Sequence, residues 1–188
     1  MLAELLQDVS LFRVLHHIDQ DIALACRHAR CPFCNSPLHN ASYPRKPRGG
    51  PDNVPQEYFV RLSLCCSKED CRRRVLPPSC LFLGRKVYWG AVILIVTTLR
   101  QQKPKDNSIN MLARKFEVSR NTVVRWIRYF HEVFPKSQQW QRLRGFISAQ
   151  ISNHDLPRSL VEYFLRTQAS SAGGLTNCLQ FLVSGHVT

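Results

Sequence analysis

The sequence predicts a mainly α-helical protein carrying a small β zinc ribbon, with a three-helix helix-turn-helix unit and helices at both ends. Three observations lead there. Apolar residues recur at three- and four-residue steps over most of the chain. Two clusters of cysteine flank a Pro- and Gly-rich stretch. A short segment near residue 118 has the spacing of two crossing helices joined by a tight turn. The 188 residues contain 44% apolar and 21% charged side chains, enough for a core and unlike a disordered chain.

Taken in order, residues 1–30 form an N-terminal helical segment. Leu2, Leu5, Leu6, Val9, Phe12, Leu15, Ile18, Ile22 and Ala25 lie on one face. Asp19 or Asp21 offers a start for a second helix, so one helix or two both fit. Residues 31–84 form the ribbon with a basic loop inserted, rich in proline and glycine over 35–56. The alternation of residues 58–64 predicts a strand. Residues 85–135 form the helix-turn-helix domain, opened by an apolar helix over 85–102. Residues 136–188 supply further helices at 138–150, from 157 to 167, and after Gly173-Gly174.

Charge divides the chain differently. Lys plus Arg number 26 against 13 acidic residues, a net charge of +13. Residues 31–105 carry net +9 and residues 106–144 net +5, whereas both ends are close to neutral. A basic block between neutral blocks points to a polyanionic partner. The apolar run 87–99 is too short and too interrupted to cross a bilayer. With no signal peptide either, the expected setting is cytoplasmic and nucleoid-associated.

Eight cysteines occur. Cys31-Pro-Phe-Cys34 is a knuckle whose turn points two sulfurs at one ion. Cys65-Cys66-Ser-Lys-Glu-Asp-Cys71 follows the expected strand. Cys31, Cys34, Cys66 and Cys71 therefore make a closed four-thiolate site for one structural Zn²⁺. Cys65 is the substitute for Cys66, the choice resting on strand alternation. Cys26, Cys80 and Cys178 read as core thiols. A closed site leaves no position for water, so the metal is not catalytic.

Residues 31–102, with CPFC, a strand ending in CC-x4-C, Arg72-Arg73-Arg74 and an apolar helix, resemble the zinc ribbon that leads the N-terminal region of insertion-sequence transposases. Those families usually have C-x-x-C in the second knuckle, where this chain has C-x4-C. The resemblance implies a mobile-element protein: a transposition accessory factor, a regulator, or the DNA-binding half of a split transposase.

Residues 109–130 are the sharpest motif. Ile109, Leu112, Ala113 and Phe116 line a first helix, Val118 plugs the turn, and Val123, Trp126, Ile127 and Phe130 line the second. Ser119 is placed to cap that second helix. The pattern is similar to the helix-turn-helix of bacterial regulators, resolvases and transposases, which often have Gly where Glu117 stands. Arg120, Asn121, Thr122, Arg125 and Arg128 are then left for the outer face, and with Ser119 they are the expected DNA contacts of this helix. In that geometry the second helix enters the major groove of double-stranded DNA. Arg72, Arg73, Arg74, Arg85 and Lys86 are expected on phosphates, as is the basic loop at 45–48. A plain helical hairpin with solvated arginines shares the periodicity, but turn, cap and outward charges agree on DNA.

No catalytic carboxylate set, nucleophile arrangement or phosphate loop is visible, so no enzyme activity is expected. The competing classes are a protein-interaction adaptor and an RNA-binding zinc-ribbon protein. The tail residues Leu160, Val161, Phe164, Leu175, Leu179, Phe181 and Leu182 are many for a short segment. Left unburied they would form a docking patch, for a second copy of the chain or a transposase-like partner.

Overall fold

A computed structural model describes residues 2–83, 88–147 and 151–184. It is mainly helical with a small sheet. A 3₁₀ segment, Leu2–Gln7, precedes the long helix α1, Val9–His28. The break falls at Asp8, which is extended and accepts a bond from the Ser10 amide, so the two-helix option is resolved there and not at Asp19 or Asp21. Asp19 is instead in mid-helix and buried. Leu11, Phe12 and Leu15 form the inward face of α1.

The ribbon contains five short strands among the described residues: β1 Leu38–Asn40, β2 Tyr43–Pro44, β3 Val60–Arg61, β4 Leu64–Cys66 and β5 Arg74–Val75. β4 lies between β1 and β5, antiparallel to both, and β2 pairs with β3. The single strand expected over 58–64 is corrected by this arrangement. Pro55 opens a 3₁₀ turn at Gln56–Phe59, and Tyr58 is buried there against His16, with ring centroids 4.6 Å apart. Arg61, polar and so expected outside, is also buried. Its guanidinium donates to the carbonyls of Leu62 (2.9 Å) and Pro77 (2.5 Å), which pair two of its five N–H groups.

The apolar helix α2 runs Gly90–Gln102, shorter at its start than the expected 85–102; residues 84–87 lie outside the described set. Every residue from Gly90 to Thr98 is buried. A helix apolar all round belongs in the centre of a fold, and α2 has neighbours on several sides. It packs against α3 (Ile109–Lys115), α4 (Arg120–Arg128), α6 (Arg158–Thr167), α7 (Ser171–Ser184) and the N-terminal 3₁₀ segment. Gly90 permits this closeness, because a Cβ there would lie 2.6 Å from the Cys80 carbonyl oxygen. Between α4 and α6, a π turn at Tyr129–Val133 and a 3₁₀ turn at Phe134–Lys136 lead to α5, Gln138–Leu143. The helix expected over 138–150 therefore ends early, in a 3₁₀ turn at Arg144–Phe146, with 148–150 outside the described residues.

One core joins both ends to the middle. It includes Phe12, Phe82, Trp89, Ile93, Val123, Trp126, Phe164 and Phe181. All seven tail residues expected to form a patch are buried in it, because α7 packs on α1, α2 and α6. The docking patch for a second copy or a partner protein is thus corrected: these side chains are covered by the chain itself. A separate small core of Leu38 and Leu64 with Cys31 and Cys66 lies under the ribbon sheet.

Candidate metal centre and basic helix face

Two similar turns build the cysteine cluster. In the first, the Cys31 amide donates to Ser36 O at 2.9 Å and the Asn35 amide to Cys31 O at 2.8 Å. Arg30 and Asn35 flank it in left-handed conformations, at φ 65° and 57°. In the second, the Cys71 and Arg72 amides both donate to Lys68 O, at 3.1 and 3.0 Å, with Arg72 at φ 41°. This bend absorbs the two extra residues of the C-x4-C spacing. The Ser67 amide donates to Pro37 O at 3.0 Å and ties the turns together.

The sulfurs of Cys31, Cys34, Cys66 and Cys71 consequently lie within 4.8 Å of one another. Cys31–Cys71 and Cys34–Cys66 separations are 3.8 and 3.4 Å. A tetrahedron with metal–sulfur bonds of about 2.3 Å has edges of roughly 3.8 Å, so the set can hold a metal ion. The Ser36 hydroxyl and backbone amide bond to Cys34 and lower its thiol to about 6. Burial pushes Cys66 up to about 12, opposed by the Lys68 amide. Cys65 faces the other side of β4 and its sulfur contacts Arg72 O at 3.5 Å, so Cys66 is the cluster member. Cys80 and Cys178 are fully buried, and burial raises both thiols above their ordinary value.

The α3–α4 pair is held by its ends. Ser108 accepts from the Met111 amide at 3.2 Å, and Ser119 from the Thr122 amide at 3.2 Å. Between them Glu117 adopts φ 49°, its amide donating to Arg114 O. Val123 and Trp126 point inward from α4. Arg120, Asn121, Arg125 and Arg128 are exposed, as expected.

One expected outer residue, Thr122, is not outside, and a second, Arg128, is outside but paired. Thr122 is only 6% exposed. Its hydroxyl sits 2.8 Å from Ser119 Oγ and 3.4 Å from the Tyr88 hydroxyl, so it belongs to the cap and not to the outer face. Arg128 is outside, but its Nε donates to Glu132 at 2.7 Å, which occupies part of its charge. Val124, 37% exposed, shares the outer face and was missed. Its place between Arg120 and Arg128 around the helix, at 100° per residue, was the available signal.

The ribbon arginines are spread over different tasks. Arg72, Arg73 and Arg74 are exposed, but Arg74 also donates to Ala41 O (3.3 Å) and Ser63 Oγ (3.4 Å) across the sheet. Arg85 and Lys86 lie outside the described residues. The basic loop, by contrast, is brought to the helices. A Cβ on Gly49 (φ 78°) would stand 2.8 Å from Phe116 O, so this backbone lies directly on the end of α3. A cleft of about 370 Å³ follows the junction, lined by Arg48, Gly50, Asp52, Trp89 and Glu117. Among the described residues no helix is long and apolar enough to cross a membrane. No protein-family model, curated protein or solved structure matches the chain.

Proposed function

We propose that this chain is a sequence-specific binder of double-stranded DNA, with α3 and α4 as a helix-turn-helix, α2 as its support, and the four cysteines holding a structural Zn²⁺. The observation that carries the reading is the outward face of α4. Arg120, Asn121, Val124 and Arg125 stand together there, on a helix capped by Ser119 and braced by the buried Val123 and Trp126. Arg and Asn make bidentate bonds to guanine and adenine edges, and an apolar side chain fits the thymine methyl. Zinc is favoured by four thiolates without a carboxylate or a place for water.

The basic loop seated on the end of α3 and the ribbon arginines would add phosphate contacts around the same surface, independent of sequence. By resemblance the setting is a mobile element, with the chain acting as accessory factor, regulator or DNA-binding half of a split transposase in the cytoplasm. Catalysis then resides on another polypeptide. A salt-titrated mobility shift with duplex DNA, single-stranded DNA and RNA tests the reading. Duplex binding that weakens steeply with salt is expected. No duplex affinity at low salt would turn the reading toward a protein adaptor, and preference for RNA toward an RNA-binding ribbon.

A further inference from the structure

Phe33 sits between the two cysteines of the first turn, and neither the cluster nor the core uses its ring. It is 57% exposed. The guanidinium carbon of Arg73, from the second turn, stands 4.5 Å from the ring centroid. Scattered exposed apolar residues are common and mean little alone. Here the aromatic is paired with a cation across two separate turns, and the backbone of each turn is held by hydrogen bonds. Phe33 lies inside the loop closed by the Cys31–Ser36 bond, and the Arg73 carbonyl accepts from the Cys66 amide at 3.0 Å. Arg30 beside the first turn and Lys68, Arg72 and Arg74 on or beside the second are exposed, against Glu69 and Asp70 on the second turn. The local field is positive.

We infer that Phe33 and Arg73 form a stacking platform for an unpaired DNA base. The ring takes the face of the base, Arg73 extends the stack, and the neighbouring arginines hold the flanking phosphates. Aromatic rings and arginine planes are the groups that bind unstacked bases, whatever their sequence. Inside an intact duplex both faces of a base are covered by its neighbours, so a ring on a stiff turn has nothing to stack on. An unpaired nucleotide beside the duplex supplies that face. The platform deepens the proposed DNA reading, on which it rests, by naming the substrate as duplex with a single-stranded tail or unpaired base.

The test uses the full-length, metal-loaded chain and fluorescence anisotropy with three DNA probes: a paired duplex, the same duplex with a short single-stranded tail, and the tail alone. Wild type is expected to bind the tailed duplex roughly fivefold or more tighter than the paired one. Phe33→Ala removes that preference, leaving paired-duplex affinity and metal content unchanged. Phe33→Trp keeps the preference, and its emission is quenched by the tailed probe and not by the paired one.

An unchanged preference in Phe33→Ala overturns the platform, as does an equal loss on both probes. If Phe33→Ala loses its metal, Phe33→Trp decides, and unquenched emission overturns the proposal. Should no duplex bind at all, the helix-turn-helix reading fails separately. Phe33-dependent binding of the DNA tail then still supports the platform. Phe33-dependent binding of an RNA tail with none of the DNA tail contradicts it.

Discussion

The Val118 amide donates to the Ala113 carbonyl oxygen at 3.0 Å, closing the end of α3 over Glu117. With the Glu117 amide on Arg114 O, this is the paired-bond helix stop that ordinarily has glycine at its left-handed position. Val118 is thereby driven into the core, 5% exposed, and the chain turns sharply into the Ser119 cap. The crossing of α3 and α4 is set by these few backbone bonds.

Glu117→Gly should therefore stabilise the protein by about 1 kcal/mol, since a side chain at positive φ costs roughly 1–2 kcal/mol that glycine avoids. Urea unfolding measures it. Paired-duplex affinity should rise, because an exposed negative charge beside α4 is removed as well. A destabilised Glu117→Gly would mean that the carboxylate makes a contact worth more than the backbone strain.

Arg128 and Glu132 give a signed prediction for binding. Their exposed pair contributes little to stability. Glu132→Gln frees the guanidinium and removes a negative charge beside α4. Affinity for every duplex should rise and the salt slope steepen. Weaker duplex binding in Glu132→Gln would place that face of α4 away from DNA.

Asp19 controls how α1 sits on the segment after the ribbon. It accepts from the Ser79 hydroxyl and, at 2.6 Å, from the Cys80 amide. Burial raises its carboxyl to about 6, against the lowering effect of these bonds and of Arg61. A folded value above the unfolded one makes this group's contribution greatest below pH 4, and it is lost as pH rises through 6. Asp19→Asn has no such ionisation. The difference in unfolding free energy between wild type and Asp19→Asn should move against wild type between pH 4 and 7. A difference independent of pH would contradict the assignment.

The cluster predicts which cysteine matters. Cys66→Ser should lose the metal, whereas Cys65→Ser should retain about one zinc per chain in elemental analysis. Because the ribbon has its own small core, chelation should expose the amides of 31–40 and 64–75 to hydrogen exchange first. The helical core should hold longer. Metal loss from Cys65→Ser alone would reverse the choice made by strand alternation.

Much of this was legible in the sequence where a local pattern carried it. The four clustered cysteines follow from knuckle spacing and from the period of β4, and Ser119, Val123 and Trp126 follow from cap and helix periodicity. The strands β1, β2 and β5 were missed because two or three residues near prolines give no period to read. Arg61 and Tyr58 mislead for another reason. Their burial depends on the Pro77 carbonyl and the His16 ring, supplied by distant segments that no local window contains. Thr122 likewise reads as outward until Tyr88 is seen beside it. The tail segments were expected as helices, but the one from 138 stops at Leu143, and the last starts at Ser171 and contains Gly173-Gly174. What covers α6 and α7, namely α1 and α2, is a matter of tertiary packing alone.

The most direct measurement selects the preferred site from a library of random duplexes, then compares wild type and Arg120→Ala on that site and on a scrambled one. A helix that reads bases predicts that wild type discriminates and that Arg120→Ala loses about 1–3 kcal/mol on the selected site only. Selection that returns no common sequence, or an Arg120→Ala loss equal on both duplexes, would contradict sequence reading by α4.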